Sequence, residues 1–425
     1  MLLGHKVRIY PNNEQETYLK KACGTARFSY NWALNKWMEE HGGMPEFKAL
    51  RDSWEADCNP DRKKSKKQAK KDRREAISKA EGELRAALRK SNERVDEGGY
   101  RKELNSIKKE KYPWMYDVTK CAVQLAIKND FAGAFKHFTG KEEFGFPKFK
   151  KKGVNDSFRI DYTALTNLSE IRHGDNYLKI PNLEQSLKMA ETLRFNGKIY
   201  AVTISRRTNE WYASFAIDAE LPERQRTVSG DDNQVIGVDL GVRALATLSN
   251  GTVIEGSKAT RQYAGQLRRN QKSLSRKSGS KKDEKKSKNY SKQRDKVARI
   301  HKKTAYARLD AIHKLTTFLT SNYSVIAIED LNIRGMLSNH KLAKHIADGA
   351  FYEFKRQLFY KASMTGSKVI LADRFFPSSK TCSVCGSIYD GLKLSETAWR
   401  CEICGAVHNR DINAAINLEK LASSL

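Results

Sequence analysis

Val235-Ile236-Gly237-Val238-Asp239-Leu240-Gly241 is the stretch on which the fold turns. An apolar run that ends in a carboxylate and then a glycine reads as a buried strand delivering an acid to its exposed end. Taken alone, the same pattern also describes a turn with a hydrogen-bonded aspartate. The reading therefore depends on what the remaining chain supplies as partners for Asp239.

Downstream, Arg243 to Leu248, a turn at Ser249-Asn250-Gly251 and Thr252 to Glu255 extend the first strand into a three-stranded meander. A second apolar strand, Ser324 to Leu331, carries Glu329 near its end, and Lys368 to Asp373 is a third of the same kind. Leu342, Ile346, Phe351, Phe354 and Leu358 predict a helix between those two. Cys382-Ser383-Val384-Cys385-Gly386 and Cys401-Glu402-Ile403-Cys404-Gly405 are paired knuckles with the spacing of a tetrahedral Zn2+ site, and the glycine after each pair frees the backbone to turn toward sulfur. A closed four-thiolate site is structural, with iron as the alternative metal. His408 is a possible competing ligand that the site does not need. Asn409 to Leu418 then starts a helix with Asp411 in its first turn.

Set in order, strand with Asp239, two strands, helix, strand with Glu329, helix, strand, ribbon and helix with Asp411 is the sequence of a ribonuclease H-like α/β domain. Such a domain brings three carboxylates to one point. They cannot all stay ionised without a cation, and two Mg2+ about 4 Å apart would hold them, activate a water and stabilise the leaving oxygen of a phosphodiester.

The charge balance names the partner class. The chain has 425 residues, room for two or three cores, and 79 Lys or Arg against 50 acids give a net charge of +29. A polyanion is the expected partner. No apolar run approaches the ~18 residues of a membrane span and Met1 to Tyr10 lacks a signal-peptide core, so the expectation is an intracellular, cytoplasmic protein with no membrane partner. Cys23, Cys58 and Cys121 are scattered, and the clustering of the other four cysteines suits a metal site in a reducing compartment. Between Lys258 and Arg308 nineteen Lys or Arg face three acids, more than half of the +29, on two predicted helices broken near Ser278-Gly279-Ser280. A bound phosphate backbone is the simplest relief for that imbalance.

The N-terminal half has a different texture. His5 to Pro11 alternates as a half-buried strand. Tyr18, Ala22, Ala26, Tyr30, Ala33 and Trp37 predict a helix over residues 12–41 with a break at Gly24, whose Phe28, Tyr30, Trp32 and Trp37 lie among Arg27, Asn31, Asn35 and Lys36 as ring faces for bases. Residues 60–111 read as a charged helix or a hairpin turned at Gly98-Gly99, Val118 to Phe138 as another helix, and Gly145 to Lys152 as a basic, aromatic loop. Short alternating segments at Phe158–Tyr162, Tyr177–Pro181, Lys198–Ile204 and Trp211–Ala216 argue a small antiparallel barrel completed by the first strand.

The segments Val238-Asp239-Leu240-Gly241, Ile328-Glu329-Asp330-Leu331, Phe376-Pro377-Ser378-Ser379-Lys380-Thr381-Cys382 and Arg410-Asp411-Ile412-Asn413-Ala414-Ala415 resemble the RuvC and zinc-ribbon signatures of TnpB, the transposon-encoded RNA-guided DNA nuclease related to compact type V CRISPR effectors. The resemblance extends to the N-terminal strand and helix, to Gly145 to Phe149 and to the basic helices. It implies an oligonucleotide-binding-like wedge barrel from residues 1–11 and 153–222, an inserted helical recognition domain over 12–152, a linker at 223–233, and a RuvC-like nuclease domain over 234–375 and 408–425 with a zinc ribbon at 376–407. It implies a guide RNA from the transposon end, double-stranded target DNA beside a short adjacent motif, and cutting of both strands. Asp239, Glu329 and Asp411 match the catalytic, Mg2+-binding positions, and Cys382, Cys385, Cys401 and Cys404 the ligands of one structural Zn2+. Tyr30, Asn31, Lys148, Lys150, Arg268, Arg269, Lys272, Arg294, Lys296, Arg299 and Lys380 are the candidate nucleic-acid contacts. Two departures stand out: Asn409 replaces a frequent acid, and residues 52–111 form a longer charged region than a minimal member carries. A type V CRISPR effector, a guide-independent transposase and a non-cleaving guided binder are the alternatives, and a monomer is the favoured state.

Overall fold

The computed structural model describes residues 2–55, 66–92, 94–140, 144–161, 176–219, 234–241, 243–278, 287–338, 346, 349–393 and 396–424. The expected linker at 223–233, Leu342 and Gly279-Ser280 lie outside them. The chain forms two compact units, Met1–Glu220 and Leu221–Leu425.

In the first unit, β1 (Leu2–Tyr10) alternates exposed and buried residues without a break, as its sequence pattern requires. It pairs antiparallel with the last strand of the unit, Leu2 facing Asp218 and Ile9 facing Trp211. Helix α1 (Asn13–Glu40) begins at a capping box, Asn12 accepting from the Gln15 amide while Gln15 reaches back to the Asn12 amide. It runs unbroken through Gly24, where an added Cβ would meet only the flexible end of Arg27; one glycine inside a long, well-packed helix lowers propensity without ending it.

The charged region divides into α2 (Pro45–Glu55), α3 (Lys66–Lys90) and α4 (Glu97–Lys111). The turn is not at Gly98-Gly99. Asp96 caps α4 by accepting from the Gly99 amide, so both glycines fall inside its first turn. The next helical stretch is interrupted: α5 (Lys120–Leu125) and α6 (Ala132–Phe138) are joined by a π-helical turn, Ala126–Phe131. That turn helps put Phe131 and Phe135 in one aromatic core with Tyr30, Trp37 and Tyr100.

The strands β2 (Ser157–Asp161), β3 (Tyr177–Leu178), β4 (Leu187–Met189), β5 (Gly197–Arg207) and β6 (Glu210–Ala219) join β1 in one antiparallel sheet, in the order β2-β5-β6-β1-β4-β3. The first strand does complete the sheet as expected. Among the described residues, however, β2 and β3 are edges and the ladder closes no ring; alternation reports which face is buried, not whether a sheet meets itself.

The second unit is built on a five-stranded sheet ordered β11-β10-β7-β8-β9, from β7 (Val235–Asp239), β8 (Ala246–Leu248), β9 (Val253–Ile254), β10 (Val325–Glu329) and β11 (Lys368–Ala372). β7, β8 and β9 form the antiparallel meander, whereas β7, β10 and β11 run parallel. Two helical crossovers serve the parallel part: α7 (Ala259–Arg276) with α8 (Lys288–Asn322), then α9 (Ile333–Ser338) with α10 (Phe351–Thr365). Ile236, Val238, Ile326 and Ile328 pack with Ile312, Leu315, Leu319, Phe354 and Leu358 on one face. On the other, Gly237 and Ala327 leave room for α11 (Arg410–Ser423), which contributes Leu418 and Ala422. A Cβ at Gly237 would collide with the Ala415 carbonyl and lie 2.7 Å from the Glu419 amide nitrogen, so only glycine lets this helix lie so close to β7. The first knuckle precedes a two-stranded ribbon, β12 (Ala398–Arg400) and β13 (Val407–Asn409), and the second knuckle forms the turn between its strands. Among the described residues no helix is long and apolar enough to cross a membrane.

Candidate active site

The parallel register of β7 and β10 matches Ile328 with Val238, so Asp239 and Glu329 leave the sheet side by side at one end. Asp411 reaches the same region from the first turn of α11, whose cap is Asn409: its side chain accepts from the amides of Asp411 and Ile412. Asparagine fills this capping role as well as an acid would.

Asp239 lies within electrostatic reach of the other two acids. Burial, then the charge of Glu329, then that of Asp411 push Asp239 up to about 8, with Arg410 opposing. Burial also raises Glu329, countered by the hydroxyl of Ser378, which donates to Glu329 Oε1. Like charges confined in a half-buried place favour protonation or a cation. The neighbouring Asp330 differs: it accepts from Lys355 at 2.7 Å and Arg374 at 2.9 Å, and these partners lower its pKa. It clamps the strand end rather than joining the cluster. Arg410 donates through Nε and Nη2 to Asp411 Oδ1 at 3.0 and 2.9 Å and through Nη1 to the Glu396 carbonyl at 2.9 Å.

Four cysteines form the metal-ligating group whose sulfurs all lie within 4.8 Å of one another; among the described residues the three carboxylates are not grouped so tightly. The knuckles are copies of each other. The Cys382 and Cys401 amides donate to the carbonyls of Ser387 and Ala406, and Gly386 and Gly405 return amides to Cys382 and Cys401. Both glycines have positive φ, at +78° and +72°, the conformation such a turn needs. Cys382–Cys404 and Cys385–Cys401 sulfurs stand 3.6 Å apart, close to the separation expected around one tetrahedral thiolate centre. His408 is buried with Nε2 3.0 Å from Cys382 Sγ, beside the four-sulfur group rather than in place of a member.

The candidate nucleic-acid contacts separate. Arg268, Arg269 and Lys272 on α7, and Arg294, Lys296 and Arg299 on α8, are exposed. Lys380 is half-buried and pairs with Asp390 at 3.4 Å. In the first unit Lys148 is exposed, whereas Lys150 pairs with Asp130 and lies over the Tyr30 ring. Tyr30 is buried, and Asn31 exchanges two hydrogen bonds with the Lys150 backbone at 3.0 and 2.8 Å. Both residues fasten the loop after α6; Asn31 is half-buried and lines the same hollow as Phe28 and Trp32, whereas Tyr30 is buried among other rings. Trp37 likewise is core, stacked on His41. Phe28 and Trp32 are half-buried and line a hollow of about 720 Å³ with Tyr112, Trp114 and Phe149.

Several residues escaped the sequence reading. Ser378 lies 49 residues from Glu329, and no local period joins them. Asn413 and Asn417, buried on α11, carried one available signal: two carboxamides at i and i+4 beside Ala414, Ala415 and Leu418 on an otherwise apolar face.

Fold and site together define an α/β protein with acids gathered at the ends of parallel strands and a four-cysteine, zinc-ribbon-like cluster beside the final helix. Family profiles agree with that class: residues 217–340 match the family described as "Probable transposase", residues 351–418 the "Cas12f1-like, TNB domain" and residues 1–43 a "Helix-turn-helix domain". A Streptomyces pristinaespiralis protein named "Putative RNA-guided DNA endonuclease" is 33% identical over 313 residues, 73% of either chain. Escherichia coli InsQ, under the same description, is 31% identical over 320 residues, 72% of this chain and 75% of its own. The "CRISPR-associated endodeoxyribonuclease Cas12f1" of Sulfoacidibacillus thermotolerans is 28% identical over half of each chain. The chain belongs to the TnpB family and is related to Cas12f.

Proposed function

We propose that this protein is an RNA-guided DNA endonuclease of the TnpB type. It cleaves double-stranded DNA beside a short adjacent motif in a prokaryotic cytoplasm or nucleoid, with a guide RNA from the transposon end. The observation that carries the reading is the convergence of Asp239, Glu329 and Asp411 from two strands and a helix, close enough for two of the acids to raise the pKa of the third. Family membership supplies the reaction class.

In this reading the second unit is the RNase H-like RuvC domain. Asp239, Glu329 and Asp411 would hold Mg2+, which when bound activates a water and stabilises charge on the leaving oxygen. The donor chemistry fits, since repulsion among buried carboxylates is what a cation relieves. The protein's own share is geometric. The sheet fixes two acids, the capped helix fixes the third, and Arg410 holds the Asp411 carboxylate in place. The four cysteines would hold one structural Zn2+. The first unit would serve as wedge and recognition lobe, with the ring-lined hollow beside Phe28 and Trp32 offering stacking surface to unpaired bases. Exposed cations on α7 and α8 would carry phosphate backbone, while base pairing to the guide supplies target sequence.

The test couples two measurements. Sequencing the RNA that copurifies with the protein identifies the guide. Asp239→Ala in the resulting complex should lower cleavage of a matched duplex by at least ~10³-fold, the scale on which a lost catalytic group acts, and leave RNA binding unchanged. Cleavage that survives this substitution would remove Asp239 from the site.

A further inference from the structure

Between β11 and the first knuckle the chain passes directly over the carboxylate site. Ser378, 3% exposed, donates its hydroxyl to Glu329, and Cys382, the first sulfur of the cluster, follows four residues later. The intervening turn is closed by its own backbone, the amides of Lys380 and Thr381 both reaching the Pro377 carbonyl. The Lys380 carbonyl accepts from the Tyr389 amide at 2.9 Å, and the carbonyls of Ser378 and Thr381 face a single helix. Asn417 Nδ2 on α11 donates to the carbonyls of Ser378 and Thr381 at 2.8 and 2.6 Å, and Asn413 Nδ2 donates to Thr381 O at 2.7 Å. Asn413 Oδ1 accepts the Ser383 amide at 2.9 Å, and Lys420 donates to the Ser383 carbonyl. The two asparagines are 1% and 5% exposed.

Buried carboxamides left without partners are destabilising, and the donors and acceptors used here all belong to this one strap. The bonds are therefore satisfied only while the strap is seated. The other half of the cluster is anchored to the same helix, because β13 runs straight into α11 through His408 and Asn409. One helix thus carries Asp411 at its start, grips the Cys382 knuckle along its side, and through that grip sets the position of the hydroxyl on Glu329.

We propose that Ser378, Asn413 and Asn417 are positioning residues that transmit closure of the four-cysteine cluster to the carboxylate site, so that loading of the cluster raises the affinity of the acids for a divalent cation. This rests on the reading of Asp239, Glu329 and Asp411 as metal ligands. Hydrogen-bonded partners of metal-binding side chains change affinity by about 10–100-fold when removed, which sets the expected size.

The experiment uses the full-length chain stripped of nucleic acid, with Mn2+ as the probe read by electron paramagnetic resonance, and zinc content measured on the same samples. Ser378→Ala should keep its zinc yet bind Mn2+ about tenfold more weakly; in the guide-loaded protein the Mg2+ concentration for half-maximal cleavage should rise by the same factor while the rate at saturating Mg2+ barely changes. Asn417→Leu, of similar volume and without the donors, should show the same shift. Zinc-depleted Cys382→Ser should lose Mn2+ affinity to the same extent, and adding Ser378→Ala to it should cost nothing more, as for two steps of one path. Wild-type Mn2+ affinity in both Ser378→Ala and Asn417→Leu overturns the proposal, and so does a multiplicative loss in the double variant. Asp239→Ala separates the two levels: it abolishes the Mn2+ site if the acids are ligands, and an unchanged site in that variant defeats the underlying reading instead.

Discussion

Asp239 carries a testable burden. Its folded pKa of about 8 stands far above the ordinary value of 3.8, so between those limits the folded protein keeps a proton that the unfolded chain has lost. Without metal, stability must fall as pH rises from about 4 to 8. Asp239→Asn removes the repulsion, and the metal-free variant should melt about 2–4 °C higher than the parent at pH 8, the shift of roughly 1 kcal/mol in a unit of this size, with a smaller gain at pH 5; scanning calorimetry at the two values checks it, and a gain larger at pH 5 contradicts the assignment. By the same linkage Mg2+ binding at pH 7 should release a proton, visible as a buffer-dependent binding enthalpy. The acids themselves were legible in the sequence because each closes an apolar strand or opens a helix. Their helpers were not. Ser378 is an ordinary serine until the fold carries it to Glu329, and Arg410 gives no sign of its grip on Asp411 until α11 has a direction.

The elements were readable to the degree that burial imposed a period on them. Strand β1 alternates perfectly, and β7 and β10 follow their apolar runs. Where a residue outside the period decides, the sequence reading drifted: Asp96 starts α4 ahead of the expected glycine turn and takes both glycines into the helix, and the π-helical turn at Ala126–Phe131 sits inside what looked like one helix. Short strand β4, three residues long, has too few positions to show a period at all. The closest approach between elements gives the prediction at this scale. Because a methyl group at Gly237 would overlap the Ala415 carbonyl, Gly237→Ala should push α11 from the sheet and destabilise the second unit by about 3 kcal/mol or more. Urea unfolding checks it; a loss under about 1 kcal/mol would mean the helix moves aside cheaply.

Along the chain the net positive charge is unevenly shared, and the exposed cations of α7 and α8 lie in the stretch that carries more than half of the net +29. Charge of this sort acts through counterion release, about one unit of salt slope for each phosphate contact. Replacing Arg268, Arg269 and Lys272 together by alanine should weaken nucleic-acid binding for every sequence alike and lower the slope of log affinity against log salt by about 2–3. A slope unchanged by the triple substitution would assign α7 to protein surface alone.

The junction between ribbon and final helix has a consequence for anyone exchanging parts among these proteins. Strand β13 ends at Asn409 and the helix begins at Arg410, with nothing between them to absorb slack. One inserted residue would rotate everything beyond it by roughly 100° about the helix axis, turning Asp411 away from its partners and both asparagines away from the strap. The ribbon is therefore not a portable cassette: a chimera would work only if that seam were copied residue for residue.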